Sequence, residues 1–207
     1  MNTGIIVETK HLVDELYKIT IEMRDNGFTH PGQYCIIGIK GSEIEKNYIV
    51  CEFDGKRFSI VVKKGNEVTD RLLELESGTE INVEAGLGNG FNVDIIPDGV
   101  TLVADSDGIP QMLGLLRGLL MRGKSCNLVL GYSTKSRIFM VDTFSNLCNN
   151  IEIFTADGSN GRQGNADDGV RKADYVCAAG SVEMLDRLAQ KAKHGQYNPD
   201  GMNITEW

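Results

Sequence analysis

Five cysteines and three histidines are the first candidates for chemistry in this chain of 207 residues, and their spacing removes most of what they could do. Cys35, Cys51, Cys126, Cys148 and Cys177 are nowhere closer than sixteen residues. There is no CxxC pair, so neither a zinc site nor an iron–sulfur cluster has its usual ligand spacing. Most of the five lie in apolar alternating stretches, where cysteine serves as a small buried hydrophobe. His11, His30 and His194 are scattered, with no carboxylate or cysteine partner beside them, and read as surface or loop residues. No metal-ligand set is expected. What remains is chemistry done with backbone groups and faces. Val68 and Thr69 open a helical segment, and a helix N-terminus presents N–H groups to anions. The stretch ADSDG at 104–108 leads into Pro110, a residue suited to the first turn of a second helix. There Asp105 and Asp107 set two carboxylates close together ahead of that helix. Two like charges ~4 Å apart repel by about 1 kcal/mol even in water. Tyr48 offers a π-face for stacking.

The elements that must position these residues change character part-way along the chain. Up to about Pro97 the segments 15–24, 33–39, 48–53, 58–63 and 80–84 are short and rich in β-branched or aromatic residues, punctuated by Gly, Pro, Asp and Asn. One helical segment, 67–76, carries Leu72, Leu73 and Leu75 as a narrow apolar stripe. Antiparallel strands around one helix suggest a small closed barrel over residues 1–98, which removes exposed strand edges. From Gly99 the pattern becomes βα. Strands are expected at 100–104, 126–131, 151–155 and 175–179, and helices at 110–122, 136–147, 165–172 and 182–193. Ser181 is placed to cap the last helix and Glu183 lies in its first turn. Repeated βα units give a parallel-sheet α/β domain over residues 99–207. The expected fold class is therefore an antiparallel β barrel followed by a parallel α/β domain.

Composition excludes several partners. The chain carries 29 acidic against 21 basic residues, a net charge of −8, and no basic run with interleaved aromatics, so nucleic acid is not an expected partner. The longest apolar runs, such as 112–121, are broken by glycine or arginine well short of the ~20 residues that span a bilayer. The N-terminus lacks a charged-then-apolar signal pattern, which points to the cytoplasm.

Four short motifs sharpen this picture: HPGQY at 30–34, KGNEVT at 64–69, LESGTEINVEAGLGNGF at 75–91 and VADSDGIPQMLGLL at 103–116. In this order and spacing they resemble the ferredoxin-reductase superfamily, and the GLGNGF element resembles the dihydroorotate dehydrogenase electron-transfer subunit family in particular. The resemblance runs from about Ile6 to Leu188. It implies FAD on the barrel, a nicotinamide cofactor on the α/β domain and a catalytic oxidoreductase subunit as partner.

Carried over residue by residue, the family segment that holds FAD falls on Lys46, Asn47, Tyr48 and Ile49, counting back from Phe53-Asp54 with two residues deleted. Lys46 would stand in for an arginine that pairs with pyrophosphate, without its planar fork. Tyr48 would lie against the isoalloxazine, and Ile49 replaces a serine that bonds the flavin edge. Val61, Val62 and Lys63 would read the flavin with backbone groups, and Val68 and Thr69 would cradle the pyrophosphate. On the α/β domain Gly108 and Pro110 match the phosphate-binding turn, Asp157 and Gly158 match an Asp-Gly-Ser loop, and Gly180 and Met184 match a Cys-Gly-Pro-x-x-Met-Leu element whose cysteine is here Ala179. The family's glycine triplet is replaced by Asp105-Ser106-Asp107, so a weak NAD(P)H site is expected, and glycine at both aspartates should tighten NADH binding at least tenfold, about 1.4 kcal/mol. The family's cluster-binding cysteines have no counterpart beyond Cys177, so no iron–sulfur cluster is expected. The implied function is an electron-transfer flavoprotein subunit of an NAD-linked oxidoreductase, as in pyrimidine biosynthesis. Two alternatives stand beside it: a stand-alone NAD(P)H:flavin reductase, and a non-catalytic assembly module that kept the fold. Neither catalytic residues nor oligomeric state can be read from these residues.

Overall fold

A computed structural model of the protein describes residues 1–171, 175–193 and 202–205. The chain divides into two compact units, Met1–Asn92 and Val93–Trp207. Lys172 and His194, both considered above, lie outside the described residues.

The first unit is built from β1 (Asn2–Val13), β2 (Leu16–Glu22), β3 (Tyr34–Gly38), β4 (Glu45–Phe53), β5 (Arg57–Lys63), the helix α1 (Glu67–Leu73) and β6 (Glu80–Leu87). The strands close in the order β1-β2-β5-β4-β3-β6, with every pairing antiparallel. Alternation explains the core: Ile19 and Ile21 of β2, Ile60 and Val62 of β5, and Ile81 and Val83 of β6 point inward and are fully or almost fully buried. Each such side chain removed from water contributes about 1.5–3 kcal/mol. The strand β1 has no counterpart in the sequence expectations. Most of its residues are exposed, so the alternation that marks a half-buried strand is missing. Two β-bulges also interrupt its pairing with β2.

Helix α1 is shorter than the expected 67–76. Asn66 caps its start, accepting from the Thr69 N–H at 3.0 Å, and the helix gives way after Leu73. Leu72 is wholly buried against the barrel core, while Leu73 and Leu75 are partly buried beside it.

The second unit contains β7 (Val100–Asp105), α2 (Ile109–Met121), β8 (Cys126–Tyr132), α3 (Val141–Ser145), β9 (Ile151–Thr155), β10 (Arg162–Gln163), β11 (Val176–Ala179), α4 (Val182–Lys193) and β12 (Met202–Thr205). All six strands run parallel in the order β10-β9-β8-β7-β11-β12. In β7 and β11 nearly every residue is buried, as expected of strands covered on both faces. On one face Val103, Val129, Phe154 and Ala178 meet Met184, Leu185 and Leu188 of α4. The expected helix 136–147 is a 3-10 turn at Lys135–Arg137 followed by the short α3, because Met140 takes a left-handed conformation (φ 61°) that interrupts the helix. The expected helix at 165–172 is a 3-10 turn at Ala166–Gly169.

Residues 93–98 go with the second unit rather than with the barrel. Lys124 donates through Nζ to the carbonyls of Val93 (2.7 Å), Asp94 (2.9 Å) and Ile96 (2.5 Å). Asp98 accepts from the Ser125 N–H (2.7 Å) and hydroxyl (2.8 Å). Among the described residues no helix is long and apolar enough to cross a membrane.

Candidate functional site

Two of the sequence motifs form one knot in the barrel. The Gln33 side-chain carbonyl accepts from the N–H groups of Thr29 (2.7 Å) and His30 (2.9 Å), while its amide donates to the carbonyls of Gly86 (3.2 Å) and Gly88 (2.8 Å). The Phe91 N–H donates to the Pro31 carbonyl at 2.7 Å, and its ring lies so close to Gly32 that a Cβ there would stand 2.9 Å from it. HPGQY and GLGNGF, more than fifty residues apart in sequence, are thus two halves of a single loop structure. Gln33 was not among the expected site residues; the signal for it was its place inside the HPGQY motif.

Between β4 and β5 the ladder joins Val50–Phe53 to Phe58–Ile60 and goes no further. Beyond it, Val61–Lys63 pair with Leu16–Lys18 of β2, and residues 45–49 pair with β3. The facing edges of β4 and β5 therefore part, leaving a gap lined by backbone. Val62 is buried inside the barrel, and the outward positions beside the gap are Asn47, Ile49, Val61 and Lys63.

Tyr48 does not lie on that outer surface. It is 6% exposed within the barrel core, and its hydroxyl is hydrogen-bonded to the Thr69 hydroxyl at 2.8 Å. Burial pushes the phenol pKa up, partly offset by the Thr69 bond. The stacking role expected of Tyr48 is corrected on this ground: its ring faces inward, and a strand residue one position away faces out. Lys46 is exposed, with Nζ 5.7 Å from the centre of the Tyr48 ring. Tyr48 and Thr69, proposed from separate segments, are brought into direct contact, but through each other. Thr69 has both its N–H (to Asn66) and its hydroxyl engaged, and Asp70 accepts from the Gly65 N–H at 2.8 Å. Val68 is buried at the same turn.

In the second unit the mouth of the parallel sheet lies where β7 and β11 end, the place where open α/β sheets divide their crossovers and bind ligands. Gly108 is buried in a 3-10 turn (Ser106–Gly108) ahead of α2; a Cβ there would run into the Ala179 carbonyl. Its missing side chain thus serves close contact with β11. Pro110 is buried in the first turn of α2, as its sequence position suggests. Asp105 turns across the mouth to the start of α4. One carboxylate oxygen accepts from the Ser181 N–H at 2.6 Å, the other from the Ser181 hydroxyl at 2.7 Å. Ser181 in turn accepts from the Met184 N–H at 3.3 Å, the cap expected of it. Gly180 has no room for a Cβ because Asp105 occupies the space, and Met184 is in the core. Asp107 is exposed. Gln111 donates to the Asp107 carbonyl at 3.5 Å, and its Oε1 is enclosed without a partner.

Asp157 and Gly158 form an exposed turn after β9. The Asp157 carboxylate accepts from the hydroxyl (2.6 Å) and N–H (3.0 Å) of Ser159, which holds its pKa below the usual aspartate value. The Lys135 N–H donates to the Ser159 hydroxyl at 2.7 Å.

A barrel of this strand order followed by this sheet is shared with known proteins. The chain is 29% identical over 194 residues to the dihydroorotate dehydrogenase B (NAD(+)) electron transfer subunit of Clostridium acetobutylicum, spanning 89% of this chain and 74% of that one. It is a relative of those electron transfer subunits. Among solved structures, an NADH-dependent reduced ferredoxin–NADP oxidoreductase matches with a TM-score of 0.81 and 25% identity, covering 97% of this chain and 74% of that one. The FAD/NAD-binding domain of nitric oxide dioxygenase from Vibrio cholerae matches with a TM-score of 0.85 over 100% of this chain and 98% of that one; at 15% identity it bears on the fold alone. The fold is that of the ferredoxin-reductase-like flavoproteins. No protein-family model matches the chain.

Proposed function

We propose that this chain is a flavin-carrying electron-transfer subunit that works with a catalytic oxidoreductase subunit. One observation carries the reading: the similarity to dihydroorotate dehydrogenase B electron transfer subunits runs along 89% of the chain and through both units. A role in pyrimidine biosynthesis is part of the same proposal.

The barrel supplies groups that fit FAD. The parted edges of β4 and β5 leave backbone N–H and C=O groups of Val61–Lys63 for the polar edge of a flat ring system. Ile49 and Val61, half-buried on the outward side, give that ring an apolar floor. Lys46 brings positive charge for a pyrophosphate, while the start of α1 beside Val68 is less suited to an anion, since Glu67 and Asp70 lie in its first turn. Bound FAD would supply acceptance of a hydride and release of single electrons. The protein's own contribution is to hold the ring edge and to neutralise phosphate charge.

The second unit fits a dinucleotide poorly. The bridge from Asp105 to Ser181 lies across the mouth of the sheet, and Asp107 adds a second carboxylate beside it. The same bridge, with the internal Tyr48–Thr69 bond, favours a second reading in which the chain is a non-catalytic module. Absorption spectroscopy separates the two. After incubation with FAD and gel filtration, the first reading expects flavin bands eluting with the protein near one equivalent, bleached by dithionite. Free FAD eluting apart from colourless protein would favour the second. Bleaching by NADH as well as dithionite would show that the nicotinamide end works despite Asp105.

A further inference from the structure

We propose that Cys126 and Cys148 are a thiol pair that closes to an intramolecular disulfide when a small disulfide oxidant is present. In sequence they are 22 residues apart and look unrelated. The parallel sheet brings them together. Leu128 of β8 is in register with Ile151 of β9, and the Leu128 N–H donates to the Asn150 carbonyl at 2.8 Å. Continued back by two residues, that register sets Cys126 opposite Asn149, the neighbour of Cys148. The Cys148 thiol lies 3.5 Å from the Cys126 carbonyl and 3.6 Å from the Asn150 carbonyl. Burial, and then the neighbouring Cys148, push the Cys126 thiol up to about 12.

Access differs between the two in a way that orders the chemistry. Cys126 is buried, whereas Cys148 is partly exposed on the turn entering β9. Cys148 therefore meets the oxidant first. Its thiolate attacks one sulfur of the small disulfide, forming a mixed disulfide and releasing one small thiolate. Cys126 then loses its proton and attacks the Cys148 sulfur, breaking the mixed disulfide and releasing the second small thiolate. The two protein thiols are oxidised, one small disulfide is reduced to two thiols, and the two protons go to those thiols. Cys35, Cys51 and Cys177 are fully buried in the strand cores and have no such route. The bond would tie the first residue of β8 to the segment entering its neighbour β9.

The test uses the full chain with oxidised glutathione as the probe, followed by alkylation and peptide mapping without reduction. The expected product is a single cross-link between the peptides holding Cys126 and Cys148, reversed by excess reduced glutathione. The remaining three cysteines should be alkylated only after denaturation. In C126S the reaction should stop at a stable glutathione adduct on Cys148, and in C148S neither adduct nor cross-link should form on the folded protein. Three results would overturn the proposal: no reaction in the wild-type chain, a permanent wild-type adduct on Cys148 with Cys126 still free, or a cross-link between other cysteines. The wild-type mapping stands alone should either variant fail to fold.

Discussion

Replacing Tyr48 with phenylalanine removes one hydroxyl and leaves the buried Thr69 hydroxyl without its partner. The expected cost is about 1–2 kcal/mol, measured as a lower urea midpoint with unchanged slope. An unaltered midpoint would mean that water reaches this part of the barrel. The inward turn of Tyr48 was hidden in the sequence for a definite reason. The motif match that counts back from Phe53 says nothing of which way a side chain faces, and β4 carries a register irregularity between Val50 and Glu52, with both Val50 and Cys51 buried. A single extra residue reverses the face of everything before it. Asp105 has a partner that its sequence context does not suggest. Its carboxylate lies at the mouth of the second unit as its position implied, yet it is bound to Ser181, seventy-six residues on, which no local pattern announces. The tenfold gain in NADH affinity expected of the double glycine variant therefore divides unequally. D105G should open the mouth but destabilise the fold by about 1 kcal/mol or more through loss of the α4 cap. D107G should leave stability within about 0.5 kcal/mol of wild type. Calorimetric titration with NADH and urea unfolding of each single variant would separate the two effects; equal behaviour would defeat this assignment.

At the scale of elements, the Gln33 knot is the feature that several residues share. Q33L keeps the size of the side chain and loses three accepted and two donated hydrogen bonds. It should lower barrel stability by about 2–4 kcal/mol, since the orphaned backbone groups lose their partners together. Amide hydrogen exchange at Thr29 and His30 should rise far above wild type; protection retained there would refute the role given to Gln33. Elements were legible where burial is uniform. The strands β7, β8 and β11 read plainly because both faces are covered and nearly every residue is apolar. Illegible were β1, exposed along most of its length, and the break at Met140, where a left-handed non-glycine residue carries no sequence signature.

For the whole molecule, resistance to acid should depend heavily on Asp167. Its side chain is 1% exposed. Burial alone would raise its pKa, but Arg187, bonded through Nε (3.0 Å) and Nη2 (2.8 Å), and Lys191 (2.9 Å) outweigh burial and hold it below the usual aspartate value. A carboxyl depressed in the folded state contributes its full stabilisation above the unfolded value, about 4, and loses it as pH falls through the folded value. Urea midpoints of wild type should therefore fall with decreasing pH, and D167N should be less stable at neutral pH with a shallower fall. Parallel profiles would show that other carboxylates govern the acid limit. This paired triad, like the change from barrel to parallel sheet, spans residues far apart in sequence. The change of architecture was legible because each half repeats its own period many times; the triad was not, because one buried aspartate among 29 acidic residues has no pattern to announce it.

The grip of Lys124 on Val93, Asp94 and Ile96 bears on how the chain can be taken apart. A protease nicking just before Val93 would release a sheet fragment with its ammonium still tethered to three carbonyls. A nick before Gly99 would carry those acceptors away with the other piece and leave the cation facing nothing. The natural seam between the halves therefore lies at the earlier peptide bond, although the change in strand pattern points to the later one.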